Sequence, residues 1–217
     1  VQTVQPRSYR LLTTSLAQNT KSKKAKKAKK ASARKPENQS ALEKGKVEQA
    51  WKMGYKGQGM VVAVIDSGAD TNHRDFKGTV SGARLSKTDM EKKISQLGYG
   101  RYVSPKFPFV YNYSSHSNDW IKSRDSEHGQ HVTGILAANG QAHNNQKYVT
   151  GIAPDAQVLE MRVFSQFEDE DPNDVAQAIY DAVRLGANVI SMSIGQGADN
   201  NRRNDIETRA VNYAVQH

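Results

Sequence analysis

Three strand-like runs occur in order along the chain: MVVAVID (Met60–Asp66), QVLEMRVF (Gln157–Phe164) and ANVISMSI (Ala187–Ile194). The first is apolar without a break until it reaches an acid, and Ser67-Gly68 follows at once. Such runs fit strands covered on both faces, as in a parallel sheet; a sheet with one wet face would alternate. Parallel strands need crossovers, and amphipathic segments lie between them. His128–Asn139 carries Val132, Ile135 and Leu136 at helical spacing, with Gly140 in the place of a C-terminal cap. Asp174–Leu185 gathers Val175, Ala178, Ile179, Ala182 and Val183 on one face, with Asn173 as N-cap and Gly186 just past the end. Asp205–Gln216 is amphipathic as well, FPFVYNYS (Phe107–Ser114) adds an aromatic strand, and Asp89–Leu97 a surface helix. This alternation predicts an α/β fold, a doubly wound and mostly parallel sheet.

Charge divides the chain in two. Its net charge is +9, yet residues 1–50 hold 13 Lys and Arg against 3 acids, while residues 51–217 hold 18 against 19. The basicity sits on an N-terminal arm, and KSKKAKKAKKASARK (Lys21–Lys35) contains nine basic residues and no acid. A block of this kind repels itself and buries nothing. Its plain reading is a solvated linker; its functional reading is adhesion to a polyanion such as anionic lipid or an acidic cell wall. Aromatic residues do not interleave with the basic ones, so a specific nucleic-acid site is not expected. The expected division is a basic flexible arm over 1–45 and a folded portion over 46–217. With no cysteine, disulfides and thiolate zinc sites are excluded. No run of about 18 apolar residues occurs, so no transmembrane segment is expected in this chain.

Functional residues of a parallel sheet collect beyond the C-terminal ends of its strands. Asp66 ends the first strong strand and is a candidate on that ground, its plain alternative being a turn or cap acid. SEHGQHVTGILAANG (Ser126–Gly140) offers two histidines, His128 and His131. A zinc-protease pair needs HExxH, and here the spacing is three with Gly129 and Gln130 between, so that reading fails. A non-catalytic metal pair lacks a third ligand. The remaining reading makes one histidine a general base at the first turn of a helix, held by an ionised aspartate.

VVAVIDSGADTNHRDF, HGQHVTGILA, GIAPDAQVLEMRV and ANVISMSIG, in that order, resemble the subtilisin-like serine proteases over about Val47–His217. The polar segment 77–105 and the YGRYVSPKFPFVYNYSS run resemble most the cell-envelope proteinases of streptococci and lactic acid bacteria, a group with peptidases that inactivate complement or chemokine signals. The resemblance implies a subtilisin-like sheet with Asp66 as the orienting acid and His128 as the base. It also implies that His131 is structural, packed on the inner side of its helix. Ser193, Ile194 and Gly195 would offer backbone groups to an extended peptide substrate. No cofactor is implied for catalysis. A structural calcium is implied at Asp75, although the facing loop, Ala138–Val149, departs from the usual pattern and the metal ligands stay unknown. The group is extracellular, held to the cell wall through C-terminal parts.

The resemblance also calls for a serine in a GTSMA-like segment and an oxyanion-hole asparagine, and neither is present. Ser191 and Ser193 fall in the SMSIG segment. Two members of a Ser-His-Asp triad are thus expected here, with an apolar sheet edge left open. The serine is expected from a C-terminal chain of the same protease, separated by cleavage. From a different class comes the reading of a non-catalytic binding module or truncated inactive fragment, its basic arm holding an anionic surface.

Overall fold

The computed structural model describes residues 10–11, 35–119, 127–141, 147–164, 171–195 and 205–217. Residues 21–34, most of the Lys-rich block, lie outside them. In chain order the elements are β1 (Arg10–Leu11), α1 (Gln39–Lys44), α2 (Val47–Lys52), β2 (Val61–Asp66), a 3-10 turn (Arg74–Phe76), α3 (Lys87–Leu97), β3 (Phe109–Asn112), α4 (Glu127–Ala137), β4 (Gln157–Arg162), α5 (Pro172–Leu185), β5 (Val189–Met192), β6 (Ile194–Gly195) and α6 (Ile206–Gln216).

Four strands form one sheet in the order β3-β4-β2-β5, and every pairing in it is parallel. All residues of β2 and β4 are buried, which is why VVAVID needs no polar alternation. One face presents Val64, Val110 and Val158 to Ala137 and Ala138 at the end of α4. The other presents Ala63, Ile65, Leu159 and Met161 to Ala178, Ile179 and Ala182 of α5 and Ala210 of α6. Helices therefore cover both faces, as the doubly wound reading expects. Each Val or Ile buried in this way contributes about 1.5–3 kcal/mol. On β5 the cover is thinner: Val189 is 50% and Met192 38% exposed, so the apolar edge expected from the sequence is present among the described residues.

Several local details differ from the sequence expectation. Helix α5 begins at Pro172 and is capped by Asp171, whose side chain accepts from the Asn173 amide. Proline at the first helical position has no amide to satisfy and a backbone angle already helical, so the cap falls one residue before it, not on Asn173. Gly186 does end α5 in the left-handed conformation, at φ 94°. Helix α4 stops at Ala137, short of Asn139, and Gly140 is not its cap. A Cβ on Gly140 would stand 2.6 Å from Asp75 Oδ1 and 2.7 Å from the Val149 carbonyl, so its glycine is needed for close approach.

The buried stripe of α4 is Gly129, Thr133 and Ala137, small residues four apart. His131 lies about half a turn away from that stripe and is exposed, which corrects the inner-side placement expected for it. Ile135 is 47% exposed for the same reason. Ordered structure also starts upstream of residue 46. The Asn38 side-chain amide donates to the Thr150 carbonyl at 2.7 Å, the Glu37 amide donates to the Tyr148 carbonyl, and Leu42 of α1 is buried.

Candidate active site

Asp66 is the last residue of β2, an inner strand between β4 and β5, and it is fully buried. Directly after it the chain turns: Gly68 takes φ 91°, a conformation that glycine adopts without steric cost. The Ser67 amide donates to Asp66 Oδ1 at 2.7 Å, and Ser67 Oγ accepts from the Gly129 amide at 3.0 Å. The strand end and the first turn of α4 are thereby tied by one serine. A second tie runs from the Asp70 amide to the Gln130 side-chain oxygen at 2.6 Å.

His128 occupies the second position of α4. Its Nδ1 lies 2.9 Å from Asp66 Oδ1 and 3.0 Å from Oδ2, and its side chain is only 13% exposed. An ionised carboxylate can only accept, so Nδ1 carries the proton it donates and the lone pair available for proton transfer is on Nε2. Gly129 makes this approach feasible. A Cβ there would stand 2.5 Å from the Gly68 carbonyl oxygen and 3.1 Å from Asp66 Oδ1. Hence the residue after the histidine carries no side chain. The arrangement can hold an imidazole in one tautomer and stabilise its positive charge when it takes a proton.

Strand β5 lies beside β2, with Ile65 opposite Met192. Ser193 is the next residue, level with Asp66 at the same end of the sheet. Ile194 and Gly195 form β6, which pairs antiparallel with Arg10 and Leu11 of the chain's own N-terminal arm: Arg10 with Gly195, Leu11 with Ile194. SMSIG is thus split, with Ser191 and Met192 in the sheet, and Ile194 and Gly195 in a separate edge that takes up an extended segment.

Asp75 is nearly buried, and its carboxylate accepts from the Val149 amide at 3.2 Å. Its own carbonyl accepts from the Asn139 amide. The adjacent cleft is lined by Arg74, Lys77 and Lys147 as well as Asp75, three cations to one carboxylate. Among the described residues no three His, Cys, Asp or Glu side chains come together. Residues 142–146 of the facing loop lie outside the described residues.

One feature was not foreseen from the sequence. Glu160, in the middle of β4, is fully buried beneath α4 and accepts from Thr133 Oγ1 at 3.0 Å. The signal was available, since QVLEMRVF puts an acid at the centre of a strand that must be covered on both faces.

A sequence profile described as the subtilase family matches residues 57–217. The PI-type proteinase of Lactococcus lactis subsp. cremoris is 37% identical over 186 residues, covering 82% of this chain and 10% of that protein. The C5a peptidase of Streptococcus pyogenes serotype M1 is 43% identical over 150 residues, covering 66% of this chain and 12% of that protein. The chain thus spans about a tenth of the length of the curated relatives it matches. Among solved structures, the prenylagaramide maturation protease PagA is similar at a TM-score of 0.49 and 23% identity, covering 78% of this chain and 47% of that one. With an aspartate closing an inner strand, a histidine held to it from α4, and a family match running from Gly57 to His217, the chain belongs to the subtilase family, the subtilisin-like serine proteases.

Proposed function

We propose that this chain supplies the acid and the base of a Ser-His-Asp triad in a secreted serine endopeptidase. The observation that carries the reading is the double approach of His128 Nδ1 to both oxygens of the buried Asp66. His128 Nε2 takes the proton of a serine hydroxyl as its oxygen attacks the scissile carbonyl, then delivers it to the leaving amine. Water repeats the sequence to release the acyl group. Asp66 stays ionised and holds the ring. The serine comes from a C-terminal chain of the same protease, since no segment of residues 1–217 has the pattern that carries it.

Ser193, Ile194 and Gly195 bind the substrate as an added strand. Support comes from β6, which already pairs antiparallel with an extended piece of this chain. The substrates are extracellular proteins, host immune proteins among them, a reading supported by similarity to proteins named C5a peptidase. No cofactor takes part in the chemistry.

Peptide hydrolysis by the full-length protein tests this reading. His128→Ala lowers kcat by about 10⁴-fold or more, whereas His131→Ala, on the exposed side of α4, leaves it within about threefold. Equal loss in the two variants, or binding of protein ligands without any hydrolysis by the parent, contradicts the catalytic reading and favours a binding module.

A further inference from the structure

On the sheet face under α4, Glu160 has apolar neighbours in register, while Asp66, Asn112 and Arg162 gather at the C-terminal end and Ser191 lies on β5. The apolar neighbours are Val64 on β2 and Val110 on β3, and Val158 is the previous residue on that face. Thr133, on the buried stripe of the helix that carries His128, is also fully buried and donates its hydroxyl to Glu160 Oε2 at 3.0 Å. Among the described residues Glu160 Oε1 has no hydrogen-bond partner. A buried acid with apolar neighbours is costly, and this one lies under the helix that presents His128 and beside the strand that ends in Asp66.

We infer that Glu160 is a positioning residue: with Thr133 it forms a buried polar clip that sets the rotation and height of α4 over β2 and β4, and so fixes His128 against Asp66. The inference deepens the triad reading and rests on it. An apolar pair at the two positions would let α4 slide on Val64, Val110 and Val158. One directional hydrogen bond selects a single setting of the helix. The pair stands five residues from His128 along α4 and two residues from Asp66 across the register, close enough to transmit a shift of the helix to the imidazole.

The charge state fits the role. Burial first, and then the Asp66 carboxylate, push the Glu160 carboxyl well above the ordinary range, while the Thr133 hydrogen bond pulls the other way. Thr133 faces it from α4, where His128 stands five residues earlier, and the titratable groups on the same sheet face are Asp66 on β2 and Arg162 on its own strand. Arg162 is turned to the Phe164 carbonyl through Nε at 2.9 Å. On this face β3 contributes Val110 and Asn112, neither titratable. Among the described residues no cation is bonded to Glu160, so its surroundings favour the protonated form. Because the folded-state value is raised, its contribution to stability is fully present below the ordinary carboxyl value and is lost as pH rises toward the folded value.

The experiment compares Glu160→Gln, Glu160→Leu and Thr133→Val in the full-length protein, by kcat and KM across pH and by the imidazole Nδ1 proton resonance of His128. Glutamine keeps the acceptor and the neutral charge, so Glu160→Gln retains kcat within about threefold and leaves the resonance in place. It also removes the loss of stability with rising pH that the acid produces. Glu160→Leu and Thr133→Val lower kcat by about 10- to 100-fold with KM changed much less, and displace the resonance. The clip is refuted if leucine keeps both kcat and the resonance, or if glutamine fails as badly as leucine. Absence of hydrolysis in the parent would count against the triad reading alone, because the resonance reports the His128 setting without it.

Discussion

Gly129 is the residue on which the dyad's geometry depends most directly, since any side chain there meets the Gly68 peptide before it meets solvent. Gly129→Ala places a Cβ 2.5 Å from the Gly68 oxygen and 2.8 Å from its nitrogen, both backbone atoms that cannot rotate away. Overpacking of this kind costs about 1–3 kcal/mol and pushes α4 off the strand end. Thermal unfolding of the variant should show that loss, and hydrolysis should fall further than stability does, because the His128 to Asp66 distance changes with it. Unchanged hydrolysis in Gly129→Ala would mean that close packing at this point does not set the base.

At this scale the contact of Asp66 with His128 was legible because chain order and flanking glycines announce it. A strand ending in Asp-Ser-Gly and a helix opening with His-Gly each require one close backbone approach, and the two approaches are the same one. His131 was placed wrongly for want of the burial phase of α4. Its stripe is marked by small residues, Gly129, Thr133 and Ala137, and not by Val132, Ile135 and Leu136. Glu160 stood out as an acid inside an apolar strand, but its partner Thr133, 27 residues away, leaves no local pattern.

The elements themselves follow from periodicity with little error, and their ends follow from chemistry that periodicity does not see. β2 and β4 begin and end within a residue or two of the predicted runs because their whole length is buried. α5 shows the other case. Its start is decided by Asp-Pro, with Asp171 accepting from the Asn173 amide at 2.8 Å and Pro172 filling the first helical position. Asp171→Ala should therefore destabilise the protein by about 1 kcal/mol through the lost cap. Asn173→Ala should change stability by less than about 0.5 kcal/mol, since its side chain only adds to the same acceptor. Denaturant unfolding of the two variants separates them, and a larger loss from Asn173→Ala would return the cap to Asn173.

Over the whole molecule, a neutral α/β body carries a basic arm, and the two meet where Arg10 and Leu11 lie along Ile194 and Gly195. That pairing was not legible from composition, which shows only that the arm is cationic. The open edge at β5 was legible, because ANVISMSI is an apolar strand and among the described residues no further strand pairs with it on its outer side. Val189 is 50% and Met192 38% exposed along that edge. The central claim is that the acid and base in this chain activate a serine that lies outside it. An activity-based serine probe on the assembled protease tests it most directly, with the labelled peptide identified by mass spectrometry. The account predicts labelling of a serine outside residues 1–217, lost in His128→Ala. Labelling of Ser191, Ser193 or any other serine of this chain, or labelling that persists undiminished in His128→Ala, would contradict it.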